Sequence, residues 1–112
     1  MQWFERSHQE HKDALVAIPN GAHLAGGPRQ RSQQMEKLKA EGFKNGFPDL
    51  FLALPKGGYH GLFIEMKRTK ESSTSKEQKH WNAYLNAVGY RSEICKGWEA
   101  AKEVISEYMA HV

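Results

Sequence analysis

The chain reads as an α/β protein, with a mixed central β-sheet flanked by helices in the order α-β-α-β-β-α-β-α. Three observations carry that reading. Apolar residues switch along the chain between a period of two and a period near 3.6. A Pro/Gly turn, Pro55-Lys56-Gly57-Gly58, separates two short apolar runs as the loop of a hairpin does. A helical pattern lies between the second of those runs and a later alternating run, which is the layout of a βαβ unit. At 112 residues, with 39% apolar and 26% charged content, the chain suits a single soluble domain spanning 1–112.

Taken in order, residues 3–14 read as a helix ending near Ala14-Leu15-Val16-Ala17-Ile18. Leu15–Ile18 suits a buried strand or a last helical turn, and the strand is preferred; Pro19-Asn20-Gly21 stops either one. Residues 21–27 form a glycine-rich loop. Pro28 then takes the first turn of a helix running to about residue 41, with Gly42 in the position after the cap. Met35 and Leu38 give that helix only a narrow apolar stripe. The hairpin follows, Asp49–Leu54 and Gly61–Arg68, and then a polar loop, Lys70–Thr74. Ser75 has the character of an N-cap, and Gln78 completes a capping box. The helix behind it carries Trp81, Tyr84, Leu85 and Val88 and stops at Gly89. Tyr90–Cys95 alternates as a strand, expected to lie parallel to the Glu65 strand through a right-handed crossover. Gly97 opens the last helix, with Trp98, Ala101, Val104, Ile105, Tyr108 and Met109 on its apolar face.

The chemistry concentrates between Gly46 and Arg68. Side chains alternate faces along a strand, so Phe63, Glu65 and Lys67 share one face while Leu62, Ile64 and Met66 share the other. On a helix, residues two apart diverge by about 160–200°. The same Glu-x-Lys spacing occurs at Glu10-His11-Lys12 and Glu77-Gln78-Lys79, but in polar stretches that read as helix. Only the copy in the apolar run gathers its charges on one face, and charges embedded there must be paired or bind something. Across the hairpin, Pro48-Asp49 heads the partner run. Two carboxylates and one ammonium thereby converge. Asp49 and Glu65 are hard oxygen ligands for Mg²⁺ or Mn²⁺, and the backbone carbonyl of Met66 lies between Glu65 and Lys67 as a further metal ligand. Lys67 is placed to hold or deprotonate a water, or to stabilise a pentacovalent phosphate. Pro48 fixes the approach to Asp49, and Gly46 leaves room for a backbone or a phosphate to pass closely. The plainer alternative is an ion pair of Lys67 with Glu65 or Asp49 on a solvated sheet face.

Charge distribution supports a polyanionic partner. The net charge is only +3, but Arg29, Arg31, Lys37, Lys39 and Lys44 precede Asp49, while Lys67, Arg68 and Lys70 follow Glu65. Basic residues flanking an acidic centre can draw phosphates towards carboxylates that hold a metal. Arg29, Arg31, Lys44, Arg68 and Lys70 are the candidate nucleic-acid contacts; Lys37 and Lys39 suit a solvated helix face. The single cysteine, Cys95, excludes an internal disulfide, fits a reducing cytosol and falls where a thiol would be buried and inert. No apolar run approaches the roughly 20 residues of a membrane span, and Met1–Arg6 lacks the basic-then-apolar order of a signal peptide, so a cytoplasmic location is expected.

Pro48-Asp49, fifteen intervening residues, then Glu65-Met66-Lys67 resembles the PD-(D/E)XK nuclease superfamily. Ala17-Ile18-Pro19-Asn20-Gly21, Leu38-Lys39-Ala40-Glu41-Gly42, Gly46-Phe47-Pro48-Asp49-Leu50 and Ser75-x-x-Gln78-x-x-Trp81 narrow the resemblance to the virus-type replication-repair nuclease (VRR-NUC) domain. Among these, the chain is most similar to the small stand-alone phage and bacterial type. The resemblance implies a restriction-endonuclease-like core and a Mg²⁺- or Mn²⁺-dependent DNA endonuclease. It also implies a homodimer acting on branched DNA such as four-way (Holliday) junctions in a bacterial or phage-infected cell. It makes Asp49 and Glu65 metal ligands, Lys67 the catalytic lysine and Gln78 a supporting catalytic residue, where the residues alone equally suit a helix cap. In many members an acidic residue on the first helix joins the metal site, a place for which Glu5 and Glu10 compete here, with Glu10 the candidate ligand. A restriction-type or general phage nuclease on linear or flapped DNA is the alternative within the same chemistry. A catalytically silent DNA-binding module is the alternative outside it.

Other residues carry weaker signals. His8-x-x-His11 has zinc-like spacing without a second ligand pair, and so reads as exposed helix histidines. His60 reads as a loop residue. Trp81 and Trp98 recur with aliphatics at helical spacing, as core residues do. Trp3 and Phe4, with little around them in sequence to bury them, are candidates for a dimer contact.

Overall fold

A computed structural model describes residues 1–19, 26–69 and 72–112. The elements are α1 (Gln2–Ser7), a 3₁₀ turn (Gln9–His11), β1 (Leu15–Ala17), α2 (Pro28–Ala40), β2 (Leu50–Leu52), β3 (Leu62–Lys67), α3 (Lys76–Ala87), β4 (Arg91–Lys96) and α4 (Trp98–Met109). The sheet order is β1-β2-β3-β4. β1–β2 and β2–β3 are antiparallel, while β3 and β4, with α3 between them in sequence, are parallel. This is the mixed α/β architecture expected. Asn20 and Gly21, most of the 21–27 loop, and Lys70 at the head of the polar loop lie outside the described residues.

Local chemistry sets the ends of the elements. Ser75 Oγ accepts the Gln78 N–H at 3.1 Å and Gln78 Oε1 accepts the Ser75 N–H at 2.9 Å, a complete capping box. At the end of α2, Gly42 has φ of +103°. Its N–H donates to Lys39 O at 3.1 Å, and the Phe43 N–H donates to Leu38 O at 2.9 Å. That pair of bonds is a Schellman motif, which a glycine without a Cβ accommodates.

The helix expected over 3–14 is broken instead. His8 leaves helical geometry at φ −134°, ψ 63°, so α1 stops at Ser7 and a single 3₁₀ turn follows. The break turns the chain so that Phe4 enters the core fully buried. Trp3 packs edge-on against Trp98 at 6.3 Å between centroids, with the Lys102 ammonium 5.3 Å from its ring. Phe4 is therefore no dimer contact, since α4, an element distant in sequence, helps bury it, and Trp3, half-buried, is engaged within its own chain.

The sheet separates two unlike layers. One face carries Leu15, Leu50, Leu52, Leu62, Ile64 and Cys95, which pack with Phe4 and with Ala101, Ile105 and Tyr108 of α4. The Tyr108 hydroxyl, fully buried, donates to Leu54 O at 2.6 Å. Burial of Cys95 pushes its thiol up to about 11, the inert state expected. The other face is aromatic: Phe51 stacks on Phe63 at 4.4 Å, and Phe47 and Tyr90 meet Phe63 edge-on. Trp81 of α3 closes over Phe47 at 5.1 Å. On α3 only Leu85 is buried, and Tyr84 and Val88 are exposed. The apolar stripe read from its sequence is thus wider than the surface the sheet offers.

Candidate active site

Strand register brings the acids together. Leu50 pairs with Ile64 and Phe51 with Phe63 across β2–β3. Beyond that pairing the Asp49 N–H turns to Ile64 O, which keeps Asp49 against β3 beside Glu65. Three bonds hold Asp49 in place. Its N–H donates to Ile64 O at 3.0 Å, its carbonyl accepts the Ile18 N–H at 2.7 Å, and its Oδ2 accepts the Met66 N–H at 2.9 Å. Glu65 is buried and its carboxyl hydrogen-bonds that of Asp49. Burial first, then the Asp49 carboxylate, pushes Glu65 up to about 8, with Lys67 and Gln78 opposing the shift. A buried acid that retains its proton beside the half-buried Asp49 carboxylate forms a donor set that a divalent cation fits, since a hard cation neutralises the repulsion. Among the described residues no third Asp, Glu, His or Cys joins them as a metal cluster.

Gln78 resolves an ambiguity left by its sequence context. Its Oε1 accepts from Lys67 Nζ as well as from the Ser75 N–H, and its side chain also hydrogen-bonds Glu65. The helix cap and the contact with the site are therefore one device, which ties the start of α3 to the end of β3. Gly46 makes the approach possible. At φ +79°, a Cβ there would lie 2.6 Å from the Glu77 carbonyl carbon and 2.7 Å from the Gln78 nitrogen. The close passage expected at Gly46 is that of a backbone, the first turn of α3.

Asp49 and Lys67 face a cleft of about 460 Å³ whose walls also include Ile18, Met66, Arg68 and Trp98. Of the expected nucleic-acid contacts, Arg68 lines this cleft, Lys44 lines a neighbouring cavity, and Arg29 and Arg31 are exposed on the first turn of α2. Lys70 lies outside the described residues. Glu10 does not reach the cleft. It lines a separate cavity with Lys56 and Met109, and Met109 lies about 16 Å along α4 from Trp98. The break at His8 is what carries Glu10 away. Glu5 is exposed on α1. The His8 ring rests 5.0 Å from Phe4, and His60 packs on Tyr90 while its N–H bonds Gly89 O. Trp98 and Ile18 are cleft residues that sequence reasoning missed. Their spacing signalled only burial, and nothing local marked their nearness to Asp49.

Comparison with known proteins identifies the family and the fold. The VRR-NUC domain family model matches residues 1–99. A solved structure described as a VRR_NUC domain protein superposes with a TM-score of 0.80 at 28% identity, over 96% of this chain and 80% of that one. No curated protein matches the chain. The fold is accordingly a nuclease-type fold, with DNA as the implied substrate. Among the described residues, no helix is long and apolar enough to cross a membrane.

Proposed function

Because the chain belongs to the VRR-NUC domain family, we propose that it is a Mg²⁺- or Mn²⁺-dependent endodeoxyribonuclease that acts on branched DNA such as four-way junctions, as a homodimer. The observation that carries this reading is the union of Asp49, Glu65, Lys67 and Gln78 in one hydrogen-bonded group beside an open cleft. Asp49, Glu65 and the Met66 carbonyl would hold the cation. When bound, it lowers the pKa of a coordinated water and neutralises charge growing on the phosphate.

The protein's own groups do the rest. Gln78 Oε1 holds the Lys67 ammonium at the end of β3, where it orients the attacking water or donates to a phosphate oxygen. The Met66 N–H keeps the Asp49 carboxylate turned towards β3. Arg68, on the cleft wall, takes an adjacent phosphate, while Lys44, Arg29 and Arg31 extend the positive path. The preference for branched DNA draws support from charge: these contacts suit phosphates, which position a duplex without reading its bases. A two-fold junction also suits a two-fold enzyme, each copy cutting one strand.

The test is a cleavage panel of four-way junction, flap, single-stranded and linear DNA in Mg²⁺, Mn²⁺ or chelator, with solution mass measured in parallel. Junctions should be cut preferentially, only with metal, by a species of twice the chain mass. Asp49→Ala and Lys67→Ala should each lose about 10²–10⁴-fold in rate and still bind DNA. Preferential cutting of linear or flapped DNA would favour the general nuclease, and a wild type that binds but cuts nothing would be a silent binding module.

A further inference from the structure

Beside the catalytic cleft lies a second, apolar cavity of about 220 Å³, and Ile18 lines both. Its other walls are Pro19, Gly42, Phe43, Lys44 and Phe47. The two phenylalanines differ in what they touch. Phe47 is spoken for, edge-on to Phe63 and Trp81. Phe43 is half-exposed, stands outside the core cluster and meets no other ring among the described residues. It is nonetheless rigidly presented, because the Schellman motif at Gly42 pins its backbone to Leu38. An aromatic side chain on a fixed backbone beside a cavity, with no ring stacked on it among the described residues, is a platform. Lys44, next in sequence and on the same cavity, adds a cation to an otherwise apolar surface.

A flat π-faced body carrying an anion matches that surface: stacking satisfies Phe43 and a phosphate satisfies Lys44. Phe47 lies two residues before Asp49, so their Cα atoms are within about 7.6 Å. The cavity thus serves a nucleotide next to the one being cut. We propose that it is a nucleobase subsite, which takes one unstacked base flanking the scissile phosphate onto Phe43 while Lys44 holds that nucleotide's phosphate. The inference rests on the nuclease reading and deepens it. Extracting a base costs least where the duplex is already interrupted, and stacking is tolerant of sequence. A subsite of this kind therefore selects branch points without reading bases.

Two readouts separate this idea from the activity itself. First, 2-aminopurine is placed in turn at each nucleotide around the branch point of a junction, and fluorescence is read in chelator, where no cleavage is needed. One position should be quenched on binding to wild type and to Phe43→Trp, but not to Phe43→Ala. Second, an abasic site at that position should lower wild-type kcat/KM about tenfold. Phe43→Ala should show that loss already on intact DNA and no further loss on the abasic strand. Circular dichroism and thermal melting confirm that Phe43→Ala is folded. The idea is overturned if no position is quenched, or if wild type and Phe43→Ala respond alike to every abasic strand. It is equally overturned if Phe43→Ala changes the solution mass, which would make a second copy of the chain the occupant. A wild type that quenches but never cuts would instead sink the nuclease reading and leave the subsite standing.

Discussion

The two faces of β3 are built from alternate residues of one six-residue strand, yet they follow opposite rules. On one face Leu62 and Ile64 are almost fully buried against α4 and Phe4. On the other, Phe63 sits in an aromatic cluster and Glu65 is buried beside a second carboxyl. The first face gains stability from burial, at roughly 1.5–3 kcal/mol for each large side chain. The second holds an acid whose charged form burial disfavours, beside stacked rings. A strand with period two can serve both ends because adjacent residues never share a face. Core and chemistry are separated by one peptide unit.

Neighbouring substitutions should break that contrast most sharply. Glu65→Gln should lower cleavage by about 10²–10⁴-fold without unfolding the chain. Its pH signature has a definite sign. The Glu65 carboxyl rises from 4.5 to about 8 on folding, so its contribution to stability is fully present below about 4.5 and is lost as pH rises through about 8. In chelator, urea unfolding of the wild type should weaken over that window, and Glu65→Gln should weaken less. Ile64→Ala, one residue away, should do the reverse. It should cost about 2–5 kcal/mol of stability and leave cleavage per folded molecule unchanged, as paired urea melts and single-turnover assays would show.

A smaller effect sharpens the contrast at the rim of the polar face. Ser75 touches no expected metal ligand and acts as a positioning residue for Gln78, and through it for Lys67. Ser75→Ala should cost about 1 kcal/mol as a lost cap and slow cleavage at saturating DNA several-fold, on the order of the same energy. Ser75→Thr, which keeps the hydroxyl, should restore both. If Ser75→Ala melts earlier but cuts at the wild-type rate, the cap and the site are independent.

Much of this was legible from the chain because it is local. The Ser75–Gln78 box, the glycines after α2 and α3, the Pro/Gly turn and the alternation over 62–67 act within a few residues, where propensity and spacing decide the outcome. The facing of Asp49 and Glu65 was also within reach, since a hairpin's register follows from its two strands. The first helix was misread for a related reason: nothing in Gln2–Ala14 announces that His8 leaves helical geometry.

From sequence alone came the α/β order, the strand faces and the carboxylates and lysine proposed for the active site. Only the tertiary structure decided that Phe4 belongs to the core, that Glu10 is carried to the far end of α4, and that one Gln78 oxygen serves both the helix cap and Lys67. It alone set Trp98 on the cleft and left Phe43, beside the second cavity, without a ring partner among the described residues. The reason is physical: burial and shared hydrogen bonds depend on which distant segments meet, and a side chain carries no local mark of the partner that folding will bring to it.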